Sequence, residues 1–153
     1  MTGEVGAGKS TALRQLVSLL NPNKYRVIYI SASRITPRHF YWKALRQLDC
    51  EPRFNRGQAK QQLHQVVLDL TENQQKVPVV IIDEAYLLDR KMLEEIRFLL
   101  NFRMDLYNPM SLILIGHPKL YEAIAQRVNL RFQLPPMEQK EIKDYVVHHY
   151  KDR

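Results

Sequence analysis

Apolar positions along the chain follow two rhythms in turn. Leu13, Leu16, Val17 and Leu20 recur at helical spacing and predict a helix over 8–20, which Asn21-Pro22-Asn23 ends. Residues 25–32 (YRVIYISA) are short and rich in β-branched and aromatic types, and predict a strand. Thr36-Pro37 reads as an N-cap followed by proline at the first helical position, with a helix to about Leu48. After a loop over 49–55, Leu63, Val66, Val67 and Leu70 predict a helix over 57–74. Residues 77–82 are almost purely aliphatic, as expected of a strand covered on both faces. Asp89 is the expected cap of a long helix to about Leu106, with Arg90/Glu94 and Lys91/Glu95 as charge pairs one turn apart; Asn108-Pro109 breaks it. A buried strand over 111–115, a helix over 118–128, a strand over 130–134 and a terminal helix over 138–150 complete the pattern. Strands separated by helices require crossovers, so the expected class is α/β with a mainly parallel sheet.

Composition adds limits. The 153 residues suit one domain, and 45% hydrophobic with 25% charged residues excludes disorder as the default. The single Cys50 excludes an intramolecular disulfide and a cysteine-rich zinc site, and points to the cytoplasm. No apolar run approaches the roughly 20 residues that span a bilayer, and the first residues form no export signal, so no integral membrane segment is expected. The 23 basic and 16 acidic residues give +7, which favours polyanionic partners. Arg34, Arg38, Lys43 and Arg46, with His39 among them, lie on or just before one predicted helix and suit a phosphate backbone; a solvated helix face has the same pattern.

The segment Gly3-Glu4-Val5-Gly6-Ala7-Gly8-Lys9-Ser10 matches the phosphate-binding pattern G-x-x-x-x-G-K-S/T at every fixed position. Glycines let the backbone curl so that successive N–H groups face one anion, and the following helix adds the positive end of its dipole. Lys9 is suited to the β and γ phosphates, and the Ser10 hydroxyl to Mg²⁺. Residues 79–84 (VVIIDE) form an aliphatic strand ending in two acids, and ligands gather at the carboxyl ends of strands in such sheets. Asp83 would therefore hold Mg²⁺ through water, and Glu84 would polarise an attacking water. His117, just after the strand over 111–115, suits a residue that senses the γ-phosphate or orients the water; a loop histidine has the same pattern. Arg127 and Arg131 flank the last strand, and either suits an arginine finger reaching a neighbouring subunit.

In this order, the phosphate loop, the Asp83-Glu84 pair, Gly116-His117-Pro118 and Gln126-Arg127-Val128 resemble the AAA+ ATPases. The phrases VIYISASRITPRHFY, LEEIRFLLNFRMD and AIAQRVNLRFQLP resemble the branch of general secretion pathway protein A (ExeA-like) and the helper ATPases of bacterial transposons. The resemblance implies a P-loop NTPase three-layer sandwich with a nucleotide-binding core over 1–136 and the start of a helical lid over 137–153. It implies ATP and Mg²⁺ as cofactors, held by Gly3, Glu4, Val5, Gly6, Ala7, Gly8, Lys9, Ser10 and Thr11, with the metal at Ser10 and Asp83. Glu84, His117 and Arg127 would be catalytic. It also implies an assembly switch that forms homo-oligomers and partners double-stranded DNA and a transposase, or serves a secretion pathway. In that family a strand precedes the loop inside the sheet. Only Met1 and Thr2 precede Gly3 here, so the expected core lacks its first strand and most of the lid.

Two other readings compete. One is a truncated, non-catalytic remnant acting only through DNA or protein contacts. The other is a small-molecule kinase, against which the Asp83-Glu84 pair argues, since it suits water as the acceptor.

Overall fold

The computed structural model describes residues 1–4, 6–99, 109–117 and 133–134. Its elements are β1 (Thr2–Gly3), α1 (Lys9–Leu19), β2 (Tyr25–Ser31), α2 (Pro37–Gln47), α3 (Arg56–Glu72), β3 (Val77–Asp83), a 3₁₀ turn (Ala85–Leu87), α4 (Arg90–Leu99), β4 (Ser111–Leu114) and β5 (Gln133–Leu134). Strands β2, β3 and β4 form one parallel sheet in that order, with Ser31 opposite Asp83 and Ile82 opposite Leu114. Strand β1 pairs in parallel with β5. A bridge between Thr2 and Gly116 joins the two sheets.

The expectation of a missing first strand takes the form of a two-residue strand at that place in the sheet. Gly3 N–H donates to Gly116 O and Gly116 N–H to Met1 O, both at 3.2 Å. The Met1 ammonium donates to Leu114 O at 2.7 Å. Residues 1–3 thus connect the carboxyl end of β4 to β5, and the phosphate loop leaves from this seam.

Alternation along the strands divides the core into two layers. Ile28, Ile30, Val80 and Ile82, with Leu112 and Leu114, face α2, α3 and α4 and pack with Phe40, Tyr41, Leu45, Leu63, Val67 and Met92. Val79, Ile81 and Ile115 face the other way and pack against Leu13 of α1. Among the described residues this second layer is thinner. Leu16 and Val17, expected on the buried stripe of α1, are 39% and 36% exposed. The helical period is correct there, but the sheet covers only the turn that carries Leu13.

Pro78 sits inside β3, a central strand where proline normally removes a ladder bond. Val77 N–H bonds to Lys24 O on the β2 side, whereas Ile82 O accepts from Ile115 N–H on the β4 side. Pro78 shares the parity of Ile82, so its missing N–H faces β4, and β4 begins one position later with Ser111 opposite Val79. The proline lies just beyond the ladder it would break.

Several local expectations hold. Thr36 caps α2 through the His39 N–H, with Pro37 at the first position. Asp89 Oδ1 accepts from Met92 N–H at 2.8 Å, and Arg90 pairs with Glu94 at 3.1 Å. Glu95 departs from its expected pairing along the helix with Lys91. It is buried and takes Tyr41 Oη at 2.8 Å and Lys60 Nζ at 2.9 Å, tying α4 to α2 and α3. The expected elements over 118–128 and 138–150, the later part of the helix after 99, and the division at 136/137 lie outside the described residues.

Candidate functional site

The site is built where four chain segments reach the carboxyl edge of the sheet. The phosphate loop comes from β1 and ends at Gly8, which caps α1 at φ 75° with no side-chain hydrogen bond. Gly6 also has positive φ, 82°. Both angles are ones that side chains disfavour, which is the physical reason for glycine at these two positions. Ala7 N–H donates to Glu4 O at 3.2 Å and closes the turn. Lys9 Nζ donates to Gly3 O at 2.8 Å and to Glu4 O at 2.7 Å, so its ammonium is folded over the loop. The loop therefore presents glycine-shaped backbone, a lysine charge and a helix N-terminus to one point, which is what an anion such as a phosphate chain requires.

Asp83 ends β3 on the α1 side of the sheet, since it shares the parity of Val79 and Ile81. Ser10 lies in the first turn of α1 above the same face. The two make no direct hydrogen bond with each other. Their hydroxyl and carboxylate oxygens are the donor set that a hard cation with retained waters takes, and they fit Mg²⁺ in that sense. Thr11 follows Ser10 in the same turn and is exposed.

Glu84 adopts a left-handed backbone, φ 55° and ψ 33°, and starts the 3₁₀ turn. A non-glycine residue there is strained by about 1 kcal/mol or more, and such strain clusters at functional sites. Asp83 Oδ1 accepts from the Glu84 N–H at 2.8 Å, and Ala85 N–H donates to Ile115 O at 2.8 Å. These bonds fix the turn that points Glu84 out of the sheet. Ser31 Oγ donates to Glu84 Oε2 at 3.5 Å, a long contact.

His117 follows β4 and closes the site from the other side. Its Nε2 lies 3.1 Å from Glu4 Oε2, so the end of β4 is tied to the phosphate loop. Tyr86 stacks edge-on beside it at 6.4 Å. Gly3, Glu4, Gly6, Ala7, Gly8, Lys9, Ser10, Asp83, Glu84 and His117 are thus gathered at one edge. Val5, Arg127 and Arg131 lie outside the described residues.

The sequence did not announce Tyr29. This exposed β2 residue donates its hydroxyl to Asp83 Oδ2 at 2.9 Å. Its pKa is pushed up to about 12, first by burial, then by the hydrogen bond to Asp83 and the charges of Asp83 and Glu84. The signal was faint: Tyr29 is an odd-numbered residue on a strand that only the topology makes a neighbour of β3.

Residues 1–124 match the family described as AAA domain. The chain belongs to that family. It is 29% identical over 157 aligned positions to general secretion pathway protein A of Aeromonas hydrophila, an overlap of 95% of this chain and 28% of that protein. The fold is similar to that of the Aeropyrum pernix ORC2 protein in its ADPNP–ADP complexes, with a TM-score of 0.79, 14% identity and coverage of 98% of this chain and 45% of that one. CDC6P of Pyrobaculum aerophilum gives 0.72 at 18% identity, covering 99% and 42%. The Aeropyrum pernix ORC1 protein in complex with DNA gives 0.73 at 16%, also covering 99% and 42%. At these identities the structural likeness is one of fold. This AAA-domain chain therefore has the P-loop AAA+ fold, and it spans less than half of each of these proteins. No helix among its described residues is long and apolar enough to cross a membrane.

Proposed function

We propose that this chain binds ATP with Mg²⁺ and hydrolyses it. The observation that carries the reading is the convergence of the glycine-shaped loop, Lys9 and the Asp83-Glu84 turn on one sheet edge. In this reading Lys9 and the amides of residues 3–11 bind the phosphates, Ser10 and Asp83 hold the metal, and Glu84 takes a proton from the attacking water. His117 reads the γ-phosphate, and Arg127 or Arg131 serves as the finger from a neighbouring copy. The metal would supply charge neutralisation across the phosphates. Nucleotide-driven homo-oligomerisation follows from a finger supplied in trans.

Duplex DNA is the partner class we propose, with transposition or secretion as the setting. The relative named for secretion motivates the secretion setting, and the solved ORC1–DNA complex motivates the DNA partner; transposition rests on the sequence resemblance alone. The surface of α2 supports the DNA reading. Arg38 lies over Trp42 at 4.7 Å and over Phe54 at 4.3 Å, and Arg46 lies over Trp42 at 5.9 Å. Residues 5–48 hold eight Lys and Arg and no Asp or Glu, while residues 49–153 hold fifteen of each sign. The chain's excess charge thus comes from the segment that includes α2. Nearby, Asp49 is taken up by Arg26 at 2.6 Å.

Fluorescent-nucleotide titration and phosphate release test the central reading. Lys9→Ala should abolish binding, whereas Glu84→Gln should keep binding and lose hydrolysis. Equal binding by wild type and Lys9→Ala would reject the site.

A further inference from the structure

Asp83 uses both carboxylate oxygens inside the protein. Oδ1 accepts from the Glu84 N–H and Oδ2 from the Tyr29 hydroxyl. An aspartate rotates freely about two bonds, so one backbone donor alone leaves its second oxygen free to swing. Tyr29 removes that freedom. The register places Ser31, not Tyr29, opposite Asp83; Tyr29 stands opposite Ile81 and leans diagonally along the sheet to reach the acid. The tyrosine is 44% exposed, so its place there is poorly explained by core packing.

Tyr29 is itself held from outside the sheet. Its N–H donates to Gln47 Oε1 at 2.9 Å, and Gln47 Nε2 donates to Tyr29 O at 2.7 Å. One side-chain amide satisfies both backbone groups of this residue on the flank of β2 that no described strand covers, as a neighbouring strand would. Gln47 is the last residue of α2. The end of α2 therefore holds the backbone of Tyr29, and the side chain of Tyr29 carries that anchoring to the carboxylate.

We propose that Tyr29 is the positioning residue for the metal at this site, and that Gln47 anchors it. The inference rests on the nucleotide reading above. With one lone pair on each oxygen already engaged, the remaining lone pairs of Asp83 point in fixed directions. Waters around Mg²⁺ donate hydrogen bonds to such a carboxylate, and a fixed acceptor suits the near-ideal octahedron this ion demands. Outer partners that orient a ligand in this way change metal affinity by about 10–100-fold when removed.

The test uses the full chain and separates the metal from the nucleotide. Tyr29→Phe removes one hydroxyl and keeps the ring. Binding of a fluorescent ATP analogue is titrated in EDTA and then across Mg²⁺ concentrations, and Mn²⁺ bound with ATP is counted by its spin-resonance signal. Nucleotide affinity in EDTA should equal that of wild type, while the Mg²⁺ concentration for half-maximal effect rises about tenfold. Gln47→Leu should move it in the same direction by less. A Tyr29→Phe chain with wild-type Mg²⁺ and Mn²⁺ dependence would overturn the assignment. So would a loss of affinity equal in EDTA and in Mg²⁺, which marks general damage. A wild-type chain that binds no nucleotide under any condition would remove the nucleotide reading and this inference together.

Discussion

His117 Nε2 and Glu4 Oε2 lie 3.1 Å apart, although 113 positions separate them in sequence. The contact ties the end of β4 to the loop that leaves β1, across the seam where Gly3 bonds to Gly116. In the reading proposed above His117 senses the γ-phosphate, and this contact would link it mechanically to the loop proposed to cradle that phosphate. Glu4 also offers its backbone oxygen to Lys9, so one loop residue touches both the proposed sensor and the phosphate cation.

His117→Ala should therefore slow hydrolysis more than it weakens ATP binding. Loss of a group acting at the transferring phosphate costs about 10²-fold in rate. Binding should stay within about threefold, because Lys9 and the loop amides are untouched. Single-turnover phosphate release against nucleotide titration measures the two. A parallel fall in both would mean that His117 only braces the loop.

Gly6 tests the loop from the inside. A Cβ at this position meets nothing within 4 Å, so crowding adds nothing to the cost of substitution. The positive φ remains, and it costs a side chain about 1–2 kcal/mol. Gly6→Ala should lower the melting temperature by only a few degrees, as roughly 1 kcal/mol does in a chain of this size. ATP affinity should fall about tenfold, because relief of the strain turns the amides away from the anion. Unchanged affinity would show that the curl at Gly6 is not needed.

The elements among the described residues were legible because each is encoded locally. Thr36-Pro37, Asp89 and the Asn21-Pro22 break are short-range signals, and they lie where the chain turns. The phosphate loop was legible for the same reason, since backbone conformation at Gly6 and Gly8 is a property of single residues. Pairing across the sheet was not. Nothing near Tyr29 says that β3 is its neighbour, and nothing near Glu95 says that Lys60 will approach it rather than Lys91. The uncovered side of α1 was hidden too: Leu13 and Leu16 look alike in sequence and differ only in what the sheet places beneath them.

The α2 surface gives a salt-dependent prediction. Each phosphate neutralised on duplex DNA contributes about −0.9 to the slope of log K against log salt. If Arg38, Lys43 and Arg46 each meet one phosphate, wild type should show a slope near −3, and replacing all three with Gln should flatten it by about 3. Trp42 is the chain's one tryptophan and lies under Arg38, so its emission should change on binding. The indole already stacks against guanidinium groups, which leaves little platform for bases, so single strands should bind less tightly than duplex. Wild-type binding with a slope that the triple variant does not alter would remove α2 as the contact surface.

Glu95 supplies the last prediction, on stability and pH. The carboxylate is buried, and burial pushes its pKa up, but hydrogen bonds from Lys60 and Tyr41 with the charges of Lys60 and Arg56 outweigh this and hold it below the ordinary 4.5. Arg56 contributes least, being 60% exposed and 3.9 Å away. The unfolded chain takes up this proton near the ordinary value, whereas the folded chain does so only at lower pH. Protonation therefore favours the unfolded form, and the stabilisation is full above the unfolded value of about 4.5 and is lost as pH falls from there through the lower folded value. Removing one partner of a buried charge pair costs about 3–5 kcal/mol, so Glu95→Ala should be strongly destabilising near pH 7. Glu95→Gln keeps the shape and an acceptor for Tyr41 but removes the negative charge beside Lys60, and should cost about 1–3 kcal/mol. The informative quantity is the gap between wild type and Glu95→Gln in urea melts run near pH 7 and near pH 4. The gap should narrow at the lower pH, since only wild type carries a carboxyl at this position whose unfolded form takes up a proton there. A gap that stays constant or widens would mean that the three helices are held by packing alone, and that the ion pair seen between Glu95 and Lys60 contributes nothing to their docking.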